Sequence, residues 1–479
     1  MDYNLTGLFL GAGASYDVGM PLVWDLTTEL KAWLTIDKLR AFNAGWRAQG
    51  GGHPDSVIED VAAVLLRADL HYESILGYLE VQAKRQRNLS GHYHSLYSWF
   101  VEIVYYKLYL KHVAAADFIV NKLELYRGVC HLYEQNEPLW VFSLNHDSVI
   151  EMIAKKFSIP LFSGLNPADI KLPRRDSEGT VVGYISVETI EKQVLDSGAM
   201  NYPNPPRKGI YLLKLHGALD MFTFNEGHDL LKLVPDEETP EAVISILKAA
   251  NEELVYVEPA APGGKIKALN EIAYEDSEGV MQFLRRSLLS GAHKFSDEAT
   301  QVLPKTMLKH FRSNLNFVSK LVCIGYGFGD QHVNEVLKSW LSFSSERSIE
   351  IVSPGINAIP PFLLHLASQV KLTMSGATEY LDLCAGITRT EAELISKKIA
   401  VVSRKVGSKK SAEILIEFRR DEEERSKQEF AKRLEFYTKA ENFDKDDIDG
   451  LVSDFGRESL HSDVDVLKRL LKRFGEGQP

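Results

Sequence analysis

Four short stretches carry residues that can do chemistry, and each follows an apolar run. "LFLGAGAS" brings Gly11, Ala12, Gly13 and Ser15 to the end of the first run. Glycines there permit positive φ and let backbone N–H groups approach an anion. A following helix N-terminus adds partial positive charge, and Ser15 can cap it or touch a phosphate. "SLNHDS" places Asn145 and Asp147 two residues apart, an amide and a carboxylate able to hold ribose hydroxyls, a carboxamide or a water. His146 between them reads as pointing away. "LLKLHGALD" ends an apolar run at His216, where a neutral imidazole can take a proton near pH 7. "CIGYGFGDQH" supplies Gly325, Tyr326, Gly327 and Gly329, with Asp330 as a cap for the next helix, and "VSPG", with Ser353, would edge the same crevice. Each stretch also has a plain reading: a tight turn, a helix cap, a satisfied core histidine.

The elements that would position them alternate. Residues 5–10, 138–143, 210–215, 320–325 and 347–352 read as strands, and helical spacing follows three of them. Such alternation predicts an α/β fold, a doubly wound, Rossmann-like parallel sheet, with the polar turns at the carboxyl ends of the strands, where ligands bind. Residues 56–130 are rich in helix signals and read as a helical insertion. The segment 160–209 reads as loop, and about 225–312 as a small cysteine-free module. From 386 the chain turns charged and nearly glycine-free, predicting a helical C-terminal region over 386–479 beside a first domain over 1–385.

Composition narrows the classes. The 479 residues carry a formal net charge of -11, which argues against a chain built to coat nucleic acid. The three cysteines, Cys130, Cys323 and Cys384, form no C-x-x-C pair, so neither a zinc ribbon nor a disulfide framework is expected, and a reducing cytoplasm fits. The N-terminus lacks a basic, uninterrupted apolar leader, and no apolar run nears the roughly 20 residues that span a bilayer.

Taken in order, G-A-G-x-S, N-x-D, H-G and G-Y-G-x-x-D resemble the sirtuin family, and more closely the sirtuin-like domains of bacterial anti-phage defence proteins. "YESILGYLE", 72–80, resembles a helical segment of the same group. The resemblance covers residues 5–385 as islands. It implies that Gly11, Ala12, Gly13 and Ser15 hold the pyrophosphate of NAD, and that Asn145 and Asp147 line nicotinamide and its ribose. His216 would be the general base, and Gly325, Tyr326 and Gly327 would contact the adenosine half. Two departures matter. Residues 218–322 lack the two C-x-x-C pairs of zinc-bearing deacylases, and "GMPLVWDL" lacks the Phe and Arg of the usual G-I-P-D-F-R.

The expectation is therefore an NAD hydrolase without zinc, with Asn145, His216 and Asp147 catalytic. A deacylase or ADP-ribosyl transferase, and a non-catalytic NAD or ADP-ribose sensor, are the alternatives. An unrestrained NAD hydrolase would harm its host, so gating is expected, through a homo-oligomer, a companion ATPase, an Argonaute-type protein or a phage component.

Overall fold

The computed structural model describes residues 5–198, 200–225, 228–256, 267–288, 303–406, 408–438 and 464–476. In chain order the strands are β1 (Thr6–Leu10), β2 (Leu139–Ser143), β3 (Leu161–Phe162), β4 (Asn166–Arg175), β5 (Val181–Ile190), β6 (Ile210–Lys214), β7 (Met221–Phe224), β8 (Asp229–Val234), β9 (Lys267–Ala268), β10 (Glu271–Glu275), β11 (Met281–Arg286), β12 (Lys320–Ile324), β13 (Ser348–Val352) and β14 (Val370–Thr373).

The first sheet has the order β14-β13-β12-β1-β2-β6-β3, and every pairing in it is parallel. Both faces are covered, as a parallel sheet requires. Side chains alternate along each strand: Phe9, Phe142 and Cys323 join one core, while Leu8, Leu10, Val141 and Val322 join the other. The chain runs outward from β1 to β2 on one side and returns through β12 on the other. The switch point of this α/β Rossmann-like sheet thus lies between β1 and β12, where a crevice opens beyond the strand ends. Two edge strands, β3 and β14, extend the five expected.

The second sheet, β4-β5-β8-β7-β11-β10-β9, is antiparallel. It reaches back to Asn166, so the segment expected as loop supplies two ten-residue strands. β4 reads as loop because it is an edge strand: Pro167 and Pro173 cost little where no further strand pairs, and most of its residues are exposed or half-buried. The expected 225–312 module is therefore part of a larger sheet, and its stretches 257–266 and 289–302 lie outside the described residues.

Helices fill the connection between β1 and β2 from Val23–Trp33 onward to Val129–Gln135, a wider insertion than 56–130. The longest, Ser90–Ala114, has apolar residues all round. It shares one core with the second sheet, Phe100, Val104 and Tyr105 lying in the same cluster as Phe222, Leu231 and Leu284. Contacts divide the chain into Met1–Gly386 and Ile387–Pro479. The second unit contains the helices Glu391–Val406, Ser408–Thr438 and Val464–Glu476, with a forked Arg469–Glu422 pair, and its segment 439–463 lies outside the described residues. No described helix is long and apolar enough to cross a membrane.

Glu350 is a carboxylate buried in β13. Lys371 (2.8 Å), Lys320 (3.0 Å), Thr373 (2.7 Å) and Tyr380 (3.1 Å) surround it. Burial opposes its charge, but these partners prevail and hold its pKa at about 2 instead of 4.5. A carboxyl depressed in the folded state stabilises above its unfolded pKa and loses that contribution as pH falls through the folded one. Glu350→Gln should therefore remove part of the stability loss that the wild type shows between pH 4.5 and about 2, as read by urea melts across that window.

The turns at the switch point give a second expectation. A Cβ on Gly11 would lie 2.6 Å from Gly325 O, and one on Gly13 would lie 2.7 Å from Gly325 Cα. Gly325 itself has φ +64, and a Cβ there would meet Ala14 N at 2.5 Å. Gly325→Ala should cost more than about 2 kcal/mol in denaturant melts, from strain and overpacking together. Gly327→Ala, with nothing within 4 Å, should stay within about 0.5 kcal/mol.

Candidate functional site

A cleft of about 700 Å³ opens at the carboxyl ends of β1, β2, β6 and β12. Its size is that of a small-molecule site. The sheet contributes Gly11, Ala12, Asn145, His146, Asp147, His216, Gly325, Tyr326, Gly327 and Asp330. The helical insertion contributes the opposite wall, with Trp24, His71 and Glu73.

The glycines of the first turn are there for a reason other than the one the sequence suggests. Neither Gly11 nor Gly13 has positive φ. They are small because the second glycine turn crosses them backbone to backbone. Gly11 N donates to Ile324 O (3.0 Å) and Gly13 N to Gly325 O (3.1 Å), so both donors are engaged. Ala12 heads a 3-10 turn, Ala12–Val18, and its N–H belongs to the donors that intrahelical bonding leaves over. Gly13 and Ser15 do not line the cleft, and Ser15 does not cap the turn. Ser15 Oγ instead lies 3.2 Å from Asn145 Nδ2.

Asn145 closes the other end of this arrangement. Its Nδ2 donates to Gly11 O (3.0 Å) as well as to Ser15 Oγ, which ties the end of β2 to the turn after β1. Its Oδ1 accepts no hydrogen bond from the described residues, which leaves the amide with an acceptor to offer. Asp147 precedes the N-cap Ser148 of the helix Val149–Lys156; its Oδ1 accepts from Val149 N (3.1 Å), a local turn bond at the helix start, and the residue also lines the cleft.

Beneath both lies a group of charges that the sequence reading passed over. Lys214 ends β6 and is 4% exposed. Its Nζ donates to the carbonyls of Asn145 (3.3 Å) and Asp147, and lies 3.5 Å from Glu151 Oε2. Glu151 Oε1 faces Lys232 of β8 at 3.3 Å, and Lys232 also binds Asp220. Burial opposes ionisation of Glu151, but the two lysines outweigh it and hold the carboxyl below its ordinary range. For Lys232 burial is outweighed by Asp220 and Glu151, and its pKa rises. Burial keeps neighbouring His112 neutral, and its Nε2 accepts from Ser148 N (3.4 Å). Charged letters inside "LLKLHGALD" and "VIEMIAKK" were the available signal, since lysine and glutamate are rarely buried unless paired.

His216 stands two residues beyond β6 and is 4% exposed. Its Nε2 lies 3.2 Å from Asp330 Oδ2. Asp330 does cap the next helix, through Oδ1 to His332 N (3.1 Å) and Val333 N (3.2 Å), which leaves Oδ2 turned toward the imidazole. One carboxylate thus caps the helix and stands at ion-pair distance from the histidine. His146 does not point away: it lines the cleft, with Nδ1 3.4 Å from Gly217 O and its ring centroid 6.3 Å from that of His216. Tyr326 packs on Phe9 and Phe328, and its hydroxyl reaches Asn334 Oδ1 (3.0 Å) and Asp330 O (3.2 Å), fixing the loop that presents Asp330. Burial pushes that phenol's pKa up, so it stays neutral.

Ser353 is not brought to the cleft. Its N–H donates to Thr373 O (3.2 Å) and its carbonyl accepts from Ile356 N (3.3 Å), closing the turn beside β14. Gly327 and Gly329 line the cleft with open space around them. Among the described residues no group of three or more His, Cys, Asp or Glu is placed to hold a metal ion. The arrangement offers a histidine backed by a carboxylate, an amide acceptor and a helix-head N–H around one cavity. No protein-family model matches the chain, and no curated protein matches it, so the reading of this cleft rests on its own geometry and on the motif order.

Proposed function

We propose that this protein hydrolyses NAD to nicotinamide and ADP-ribose in the cleft at the switch point. The observation that carries the reading is the His216–Asp330 pair, 3.2 Å apart, beside the Asn145 acceptor at the carboxyl ends of a doubly wound sheet. The resemblance of the motif order to sirtuin-like domains supports it.

The chemistry follows from these groups. The bond between the ribose C1′ and the pyridinium nitrogen breaks, and its electron pair stays on nicotinamide, which leaves neutral. The ribosyl cation that remains is stabilised as an oxocarbenium ion, as in O-glycoside hydrolysis. Water adds to C1′, and His216 takes its proton. The Asp330 carboxylate stabilises the imidazolium that forms, the role the aspartate has in a serine-protease triad. Asn145 Oδ1 accepts a hydrogen bond from the water or from a ribose hydroxyl. Ala12 N–H and the head of its turn face the pyrophosphate. Such an activity needs restraint in a living cell, through self-assembly or a companion protein, and the helices of Ile387–Pro479 are the candidate surface for it.

The test is release of nicotinamide from NAD by the full chain. His216→Ala should lower turnover by about 10² to 10⁴-fold while NAD affinity, measured by calorimetry, stays near wild type. Asp330→Asn should also slow turnover, because asparagine keeps the helix cap and lacks the charge. Wild-type turnover in His216→Ala removes the histidine from its role, and absence of NAD binding by the wild type ends the reading. Asn145→Ala is the poorer probe: losing two hydrogen bonds should destabilise the fold by about 1–3 kcal/mol as well.

A further inference from the structure

A second cavity, of about 510 Å³, lies between the helical insertion and the second sheet, away from the residues described above. Its walls include Trp33, Trp99 and Tyr106, and its floor includes Asn251 and Arg286. The floor is unusual in its polar atoms. Arg286 is 2% exposed, and its Nε has no hydrogen-bond partner among the described residues. The same holds for Asn251 Oδ1. A buried donor and a buried acceptor left unmatched are each costly, and two at the floor of one cavity call for an explanation.

Tyr106 covers them. Its ring lies over the guanidinium at 5.0 Å, its hydroxyl accepts from Arg286 Nη2 at 3.1 Å, and it is 37% exposed, so it can swing into solvent. Arg286 is held from below by the Tyr105 ring at 4.6 Å and by Glu271 O at 3.3 Å, so the guanidinium stays when Tyr106 leaves. Glu102 and Glu271 balance Lys107 and Arg286 around the cavity, which leaves no net charge to select an ion.

We propose that this cavity binds an uncharged planar heterocycle bearing a carbonyl beside an N–H, the chemistry shared by guanine, uracil and nicotinamide. The ring replaces Tyr106 on the guanidinium and stacks against the indoles. Its carbonyl accepts from Arg286 Nε, and its N–H donates to Asn251 Oδ1. Both unmatched atoms are thereby satisfied by one edge of one ligand. The site is independent of any turnover in the sheet cleft.

Calorimetric titration of the full chain with guanosine, uridine and nicotinamide tests it, with adenosine, whose base has no carbonyl, as the control. At least one of the first three should bind with a Kd below about 1 mM. That affinity should fall by about tenfold or more in Arg286→Met, which keeps the length of the side chain and loses the donor, as expected for one good polar contact. It should fall likewise in Leu110→Trp, which fills the rim from a position 54% exposed and leaves the core intact. It should rise in Tyr106→Leu, which removes the cover, and should be unchanged in His216→Ala. If Arg286→Met fails to fold by circular dichroism, Leu110→Trp decides. No binding by guanosine, uridine or nicotinamide, equally tight binding of adenosine, or binding that survives Leu110→Trp overturns the proposal, as does weaker binding in Tyr106→Leu.

Discussion

A buried ammonium group, Lys214 Nζ, holds the site to the scaffold. It gathers the carbonyls of Asn145 and Asp147, which would otherwise point into a dry interior, and rests on Glu151. Glu151 passes the interaction to Lys232 in the other sheet, and Lys232 to Asp220. The four charges sum to zero, with two lysines and two carboxylates alternating. Charges this deep are tolerated only when each has its counter-charge and its hydrogen bonds. Removing one would strand the rest, so the N-x-D turn, β6 and the second sheet are fixed relative to one another by mutual necessity.

The crossing of the two glycine turns is the complementary constraint. Hydrogen bonds from Gly11 and Gly13 to carbonyls around β12 seal the switch point, and Asn145 fastens it from the β2 side. A phosphate-binding role for this turn thus falls to its one uncommitted position, Ala12. The cost of the seal is that the glycine donors are spent on the fold.

The parallel sheet was legible because its strands are buried on both faces and read as continuous apolar runs ending in small or polar turns. The second sheet was not. β4 carries two prolines and many exposed residues, the composition of a loop, and only its partner β5 makes it a strand. At the site, the residue types were legible and their roles were not. Asn145 and His216 reach the cleft, yet half of the asparagine's hydrogen-bonding capacity goes to Gly11 and Ser15. Asp330 was read as a cap, and it is one, but a carboxylate has two oxygens, and sequence spacing cannot say where the second points. Ser353 lay on a turn at the right end of the sheet, but after β13, with β12 between it and the switch point, and it does not reach the cleft. The wall of Trp24, His71 and Glu73 comes from an insertion whose docking no local pattern encodes.

The described residues that line the sheet cleft include histidines, acids, aromatics and bare backbone, and among them is no lysine or arginine. An anionic ligand there meets dipoles and N–H groups in place of full positive charges. Ion-pair recognition fades as dissolved salt screens it, within about 8–10 Å at ordinary ionic strengths. What dissolved salt screens here is the opposite term, the repulsion between such a ligand and the carboxylates of Glu73, Asp147 and Asp330. The cleft selects by outline and by hydrogen bonding, and admits an anion more readily in concentrated than in dilute surroundings.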